Sequence, residues 1–210
     1  MTKFIAPRAL ALLLAVSAMA AAIPARAAIG VPDAAQKILG TDPMLADTDG
    51  DGEGDIADKD PVFAPNPIPQ QGAPATIRIV SAKVEDNFDP LTKKDVPDHL
   101  EIAVENVGKA DQKGLSLYYT FAEVGGTVKE GTFRALKGLT LKAGATTTLH
   151  FEAGGLIDFS AASERFRINP NSALYRSKLA KLIDIQVALD GEAPAAISIK
   201  KDVGGAETAD

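Results

Sequence analysis

The chain has 210 residues, 46% of them hydrophobic and 24% charged, with a formal charge of −6 and no cysteine. Lack of cysteine excludes disulfides, thiolate metal sites, cysteine nucleophiles and a lipid-modified N-terminal cysteine. The acidity excludes nucleic acid and anionic membranes as favoured partners, because both repel it.

At the N-terminus "MTKFIAPR" carries Lys3 and Arg8, the apolar run "ALALLLAVSAMAAAI" follows, and Ala25-Arg26-Ala27 comes just after Pro24. A basic start, an apolar middle and a small-x-small end predict an export signal over residues 1–27. The run is shorter than the roughly 20 residues a membrane span needs. No span is therefore expected after cleavage, and the mature chain is expected in the periplasm or outside the cell. Cleavage removes Lys3, Arg8 and Arg26 and no acid, which moves the charge from −6 to −9.

Residues 28–60 form the next zone. It opens on an expected short helix, with Pro32 and Asp33 suited to a first turn and Gly40 to a stop. Then comes "ADTDGDGEGDIADKDP", Ala46 to Pro61. Six aspartates and one glutamate lie between Asp47 and Asp60, offset only by Lys59. A run of like charge is usually a solvated linker, but this one has a spacing. Taking Asp47 as the first position, Asp49, Asp51, Gly52, Glu53, Asp55 and Asp58 fall third, fifth, sixth, seventh, ninth and twelfth. That is close to the D-x-D-x-D-G loop that wraps a calcium ion. Calcium takes about six to eight oxygen ligands, and alternate residues of a tight loop can turn carboxylates inward. Gly52 permits the positive φ of the bend. The candidate ligands are Asp47, Asp49, Asp51, Glu53 through its backbone carbonyl, Asp55 directly or through water, and Asp58. Magnesium is disfavoured, because it demands a small, rigid octahedron and keeps its waters.

A helix-loop-helix hand fits imperfectly. Asp58 stands where that loop has glutamate, Gly54 replaces an apolar residue, and Pro61 blocks an exit helix. The stretch instead resembles a thrombospondin type 3 calcium repeat, D-x-D-x-D-G-x-x-D-x-x-D-x-x-P. Asp47, Asp49, Asp51, Gly52, Asp55, Asp58 and Pro61 all fall on that pattern, and "LGTDPMLA" is similar to its bacterial lead-in. The resemblance implies Asp47, Asp49, Asp51, Asp55 and Asp58 as side-chain ligands. Such repeats usually come in tandem, and this sequence holds one copy. A single, half-exposed site is expected to bind calcium at about 10⁻⁴ to 10⁻³ M.

Residues 61–74, with Pro61, Pro65, Pro67, Pro69 and Pro74, predict an extended spacer that uncouples the two sides. Residues 75–200 read as mainly β. "HLEIAVENVG" sets Leu100, Ile102 and Val104 on one face. "LSLYYTFAE" does the same with Leu115, Leu117, Tyr119 and Phe121, which leaves Tyr118 as the aromatic expected at the surface. "EGTFRALKGL" pairs Phe133 with Ala135, and "TTTLHFEAGG" pairs Leu149 with Phe151. "LIDIQVALDG" aligns Ile183, Ile185, Val187 and Leu189, and "AAISIKK" aligns Ile197 and Ile199. Period-two segments separated by turn signals predict an antiparallel sandwich or barrel, and about eight segments in a zone of this length suit the sandwich. "NSALYRSKLAKL" is ambiguous and is read as strand plus loop. Residues 201–210 are expected to fray.

Asn106, Gly108, Leu141, Gly144 and Thr146 give this zone a likeness. It resembles bacterial immunoglobulin-like domains of the cell-adhesion-related type, which implies an immunoglobulin-like sandwich and a partner protein or surface glycan. For catalysis the sequence offers little. His150 lies between core-facing Leu149 and Phe151, His99 lies at a strand start, and no nucleophile elbow, phosphate loop or histidine pair occurs. The expectation is an exported, non-enzymatic calcium-binding protein. The competing expectation is a calcium-dependent hydrolase with its site on sandwich loops.

Overall fold

The computed structural model describes residues 32–85, 88–89, 94–95, 99–153, 165–173 and 179–201. The expected export signal, nearly all of the C-terminal tail, and residues 174–178 of the ambiguous segment lie outside the described residues. Among the described residues no helix is long and apolar enough to cross a membrane.

Helix α1 spans Asp33–Leu39. Pro32 precedes it in extended conformation, and Gly40 ends it at φ 82°. The left-handed turn lets the Gly40 and Thr41 amides both donate to the carbonyl of Gln36, one of the carbonyls in the helix's last turn.

The chain is mainly β, in two four-stranded sheets. One has the order β1 (Ile77–Glu85), β4 (His99–Asn106), β9 (Thr146–Ala153), β10 (Arg165–Ile168). The other has the order β12 (Ala195–Lys201), β11 (Lys181–Ala188), β6 (Ser116–Glu123), β7 (Lys129–Ala135). Among the described residues two short ribbons complete the set: β2 (Phe88–Asp89) with β3 (Lys94–Asp95), and β5 (Gln112–Lys113) with β8 (Thr140–Leu141). Among the described strands every pairing is antiparallel except β10 on β9, which is parallel. The mainly β, antiparallel sandwich expected from the sequence is therefore what the described residues form, with one parallel pair beside it.

The expected alternation is what builds the core. Leu100, Ile102, Val104, Leu117, Tyr119, Phe121, Leu149, Phe151, Ile183, Ile185 and Val187 are all buried in one cluster between the sheets. The turn residues of the likeness also meet. Asn106, fully buried, donates its side-chain amide to the Leu141 carbonyl at 3.0 Å, while its own carbonyl accepts the Gly144 N–H at 2.9 Å.

The expectation of a surface-exposed Tyr118 is corrected by the outer face of the second sheet. Tyr118 is only 7% exposed, and Phe133 lies outside the central core, packed with Tyr118, Ala64, Ile68 and Ala188. The cause is the proline-rich segment, which is a strap rather than a free spacer. Ala64 N–H donates to Gly131 C=O at 2.9 Å, and Gly131 N–H donates to Val62 C=O at 3.0 Å. Farther on, the Asn66 and Gln70 amides both reach Gln186, and Ala73 bridges to Glu192. Pro65, Pro67 and Pro69 have no N–H, so the strap can lie extended on the sheet with few donors left over.

Candidate metal centre

The acidic stretch folds as a loop stitched by its own carboxylates. Asp47 accepts the amides of Gly50 at 2.7 Å and Gly52 at 3.0 Å. Asp49 Oδ1 accepts the Asp51 amide at 3.1 Å, and Asp51 Oδ1 accepts the Glu53 amide at 2.7 Å. The glycines let the backbone curl this tightly: Gly50 has φ 83° and Gly52 φ 99°, conformations that disfavour a Cβ.

The curl brings carboxylate oxygens of Asp47, Asp49 and Asp51 all within 4.8 Å of one another. Asp49 is 1% exposed. Its Oδ2 is buried without a hydrogen-bond partner, and so is Oδ2 of Asp58. Burial first, then the charges of Asp51, Asp58 and Asp47, push the Asp49 carboxyl from 3.8 up to about 7, against the lowering effect of the Asp51 amide. An isolated buried carboxylate pays heavily for its charge unless a counter-charge meets it.

The other two expected ligands sit differently. Both oxygens of Asp55 accept from Thr48, Oδ1 from its amide at 2.7 Å and Oδ2 from its hydroxyl at 2.8 Å. The Thr48 hydroxyl in turn accepts the Asp42 amide at 2.8 Å. Asp55 therefore buttresses the loop from behind. Glu53 is exposed. Thus the structure brings Asp47, Asp49 and Asp51 together, puts a free oxygen of Asp58 in reach of their field, and turns Asp55 onto Thr48.

The donor set is oxygen only. Three converging carboxylates and two buried, unpartnered oxygens fit a hard cation and suit no thiophilic metal. Sequence reasoning missed Thr48, Gly50 and Arg134. Gly50 carried a faint signal as an extra glycine beside the motif's own; Arg134 carried none, being 86 residues from Thr48.

No family model and no curated protein matches this chain. Solved structures match it only in part. A Bacteroides uniformis beta-glucuronidase is 14% identical at TM-score 0.32, over 61% of this chain and 13% of that one. The Pseudomonas fluorescens alkylpurine DNA glycosylase AlkC, bound to DNA containing an abasic site analogue, is 17% identical at TM-score 0.32, over 61% and 31%. A Listeria innocua beta-glucosidase in complex with gluconolactone is 19% identical at TM-score 0.28, over 62% and 16%. The chain spans less than a third of each of these proteins, and likenesses this slight carry no argument about activity.

Proposed function

We propose that this chain is an exported, non-enzymatic calcium-binding protein whose ion is structural and whose sandwich, read as immunoglobulin-like, engages a partner protein or surface glycan. The observation that carries the calcium reading is the buried, unpartnered Oδ2 of Asp49 beside Asp47, Asp51 and Asp58. A divalent ion would supply the missing partner and offset the mutual repulsion. Asp47, Asp49, Asp51 and Asp58 would hold it by their side chains, and Glu53 would add its backbone carbonyl; all are hard oxygen donors.

The order β1-β4-β9 facing β12-β11-β6-β7 supports the immunoglobulin-like reading. For a glycan, the surface on offer is an open groove of about 520 Å³ on the strapped face, where Asn66, Thr120, Asp184, Gln186 and Ser198 present amides, hydroxyls and a carboxylate. The test of the calcium reading is calorimetry or terbium luminescence on the chain from residue 28, with Asp49→Ala and Asp51→Ala as controls. Uptake at millimolar calcium, lost in both variants, is expected; no uptake defeats the reading.

A further inference from the structure

The acidic loop does not hang free of the sandwich. Its ligand-bearing backbone is gripped by two successive residues of β7, the edge strand of its sheet. The Phe133 amide donates to the carbonyl of Asp49 at 2.7 Å. The Arg134 guanidinium donates through Nη2 to the carbonyl of Thr48 and through Nη1 to the carbonyl of Phe133 at 2.8 Å. Two consecutive carbonyls, those of Thr48 and Asp49, therefore face the strand, while the side chain of Asp49 faces Asp47 and Asp51.

Gly50 makes the seat possible. A Cβ there would lie 2.2 Å from the Phe133 carbonyl oxygen and 2.7 Å from Arg134 Nη1. A Cβ at Gly52 would meet nothing within 4 Å. Gly52 serves the bend alone, whereas Gly50 also serves the close approach to β7. The far end of the loop returns to the same strand, because Val62 and Ala64 pair with Gly131. Residues 50–61 thus close as a loop whose two feet stand on Phe133 and Gly131.

We propose that the edge of β7 is the outer wall of the ion site and that Arg134 is its positioning residue, resting for this on the calcium reading above. Arg134 touches no ligand oxygen in this arrangement; it acts through the Thr48 and Phe133 carbonyls. Its fork fixes the peptide between Asp47 and Asp49 and so pre-sets the spacing of their carboxylates before an ion arrives. Holding ligands in place lowers the ordering cost of binding.

Charge makes the role separable. Arg134 is a cation beside an anionic site. If charge alone mattered, removing it would tighten calcium binding. If positioning matters, removal weakens binding despite the electrostatic gain. Arg134→Lys keeps the charge and loses the two-carbonyl fork. Gly50→Ala keeps every charge and every candidate ligand, and unseats the loop.

The experiment is calcium titration by calorimetry of the folded wild-type chain and of Arg134→Ala, Arg134→Lys and Gly50→Ala, each checked by circular dichroism. All three variants are expected to bind about tenfold more weakly or worse, the scale seen when groups that orient metal ligands are lost. Tighter binding by Arg134→Ala, or unchanged binding by Arg134→Lys and Gly50→Ala, overturns the proposal and leaves the calcium reading standing. If Arg134→Ala does not fold, the other two variants decide. A wild-type chain that takes up no ion brings down the calcium reading, and this proposal with it.

Discussion

The hydroxyl of Tyr118, on the outer face of β6, donates to the carbonyl of Ala64 in the strap at 2.8 Å. The bond spans 54 positions of sequence and ties the segment leaving the acidic loop to the middle of a sheet. Tyr118→Phe leaves that buried carbonyl without its partner. The expected loss is about 1–3 kcal/mol, the cost of an unmet buried acceptor, read as a lower denaturant midpoint with an unchanged slope.

Because loop and strap are both seated on β7, ion binding is expected to stabilise the sandwich as well as the loop. At calcium about 100-fold above Kd, linkage gives about 2.7 kcal/mol. For a chain of this size that corresponds to a rise of roughly 5–10 °C in Tm. The sequence-based expectation was the opposite, a sandwich uncoupled by its spacer. Calorimetric melts with calcium and with chelator decide between them; one cooperative transition that moves as a whole is expected, and Asp49→Ala should abolish the movement.

The pH dependence has a definite sign. Asp49 rises from 3.8 in the unfolded chain to about 7 in the folded, ion-free chain, and burial raises Asp55 in the same direction. A raised carboxyl favours folding while it is protonated. Its contribution is fully present below about pH 4 and is lost as pH climbs through 7. The chelated protein should therefore lose stability between about pH 4 and 7. Calcium binds the deprotonated carboxylate, so its affinity should rise over the same window. Asp49→Asn should flatten most of the chelated profile, measured by urea unfolding at fixed ionic strength.

Thr48 is the hub behind the site, accepting from the Asp42 amide and donating to Asp55. Thr48→Val keeps the shape and removes both bonds. It should cost about 1–3 kcal/mol and weaken calcium binding, because Thr48 lies between Asp47 and Asp49. Denaturant unfolding and calcium titration of the same variant read the two effects.

The inward and outward rows of the sheets can be tested as a pair. Leu117 is fully buried and Leu182 is 44% exposed. Leu117→Ala should lose about 2–5 kcal/mol, and Leu182→Ala no more than about 0.5 kcal/mol, by urea denaturation.

Much of this was legible in the residues. Strict alternation in "HLEIAVEN" and "LIDIQVA" named the core rows, because a strand turns successive side chains to opposite faces whatever lies beyond it. The aspartate spacing named Asp47, Asp49 and Asp51, because a curl of a few residues is set locally by glycine and by side chains that bond their own backbone. Tyr118 was misplaced for a different reason. Alternation says which face a residue takes, and it is silent on whether another segment covers that face.

The sequence alone determined a mainly β chain and an oxygen-lined acidic loop, since both follow from interactions between residues close along the chain. Only the tertiary structure decided that the loop stands on β7, that Arg134 and Gly50 belong with it, and that the proline-rich segment is a strap. Those contacts join residues some 50 to 120 positions apart. Such contacts depend on which sheet edge the folded strands leave open, and no local pattern encodes that.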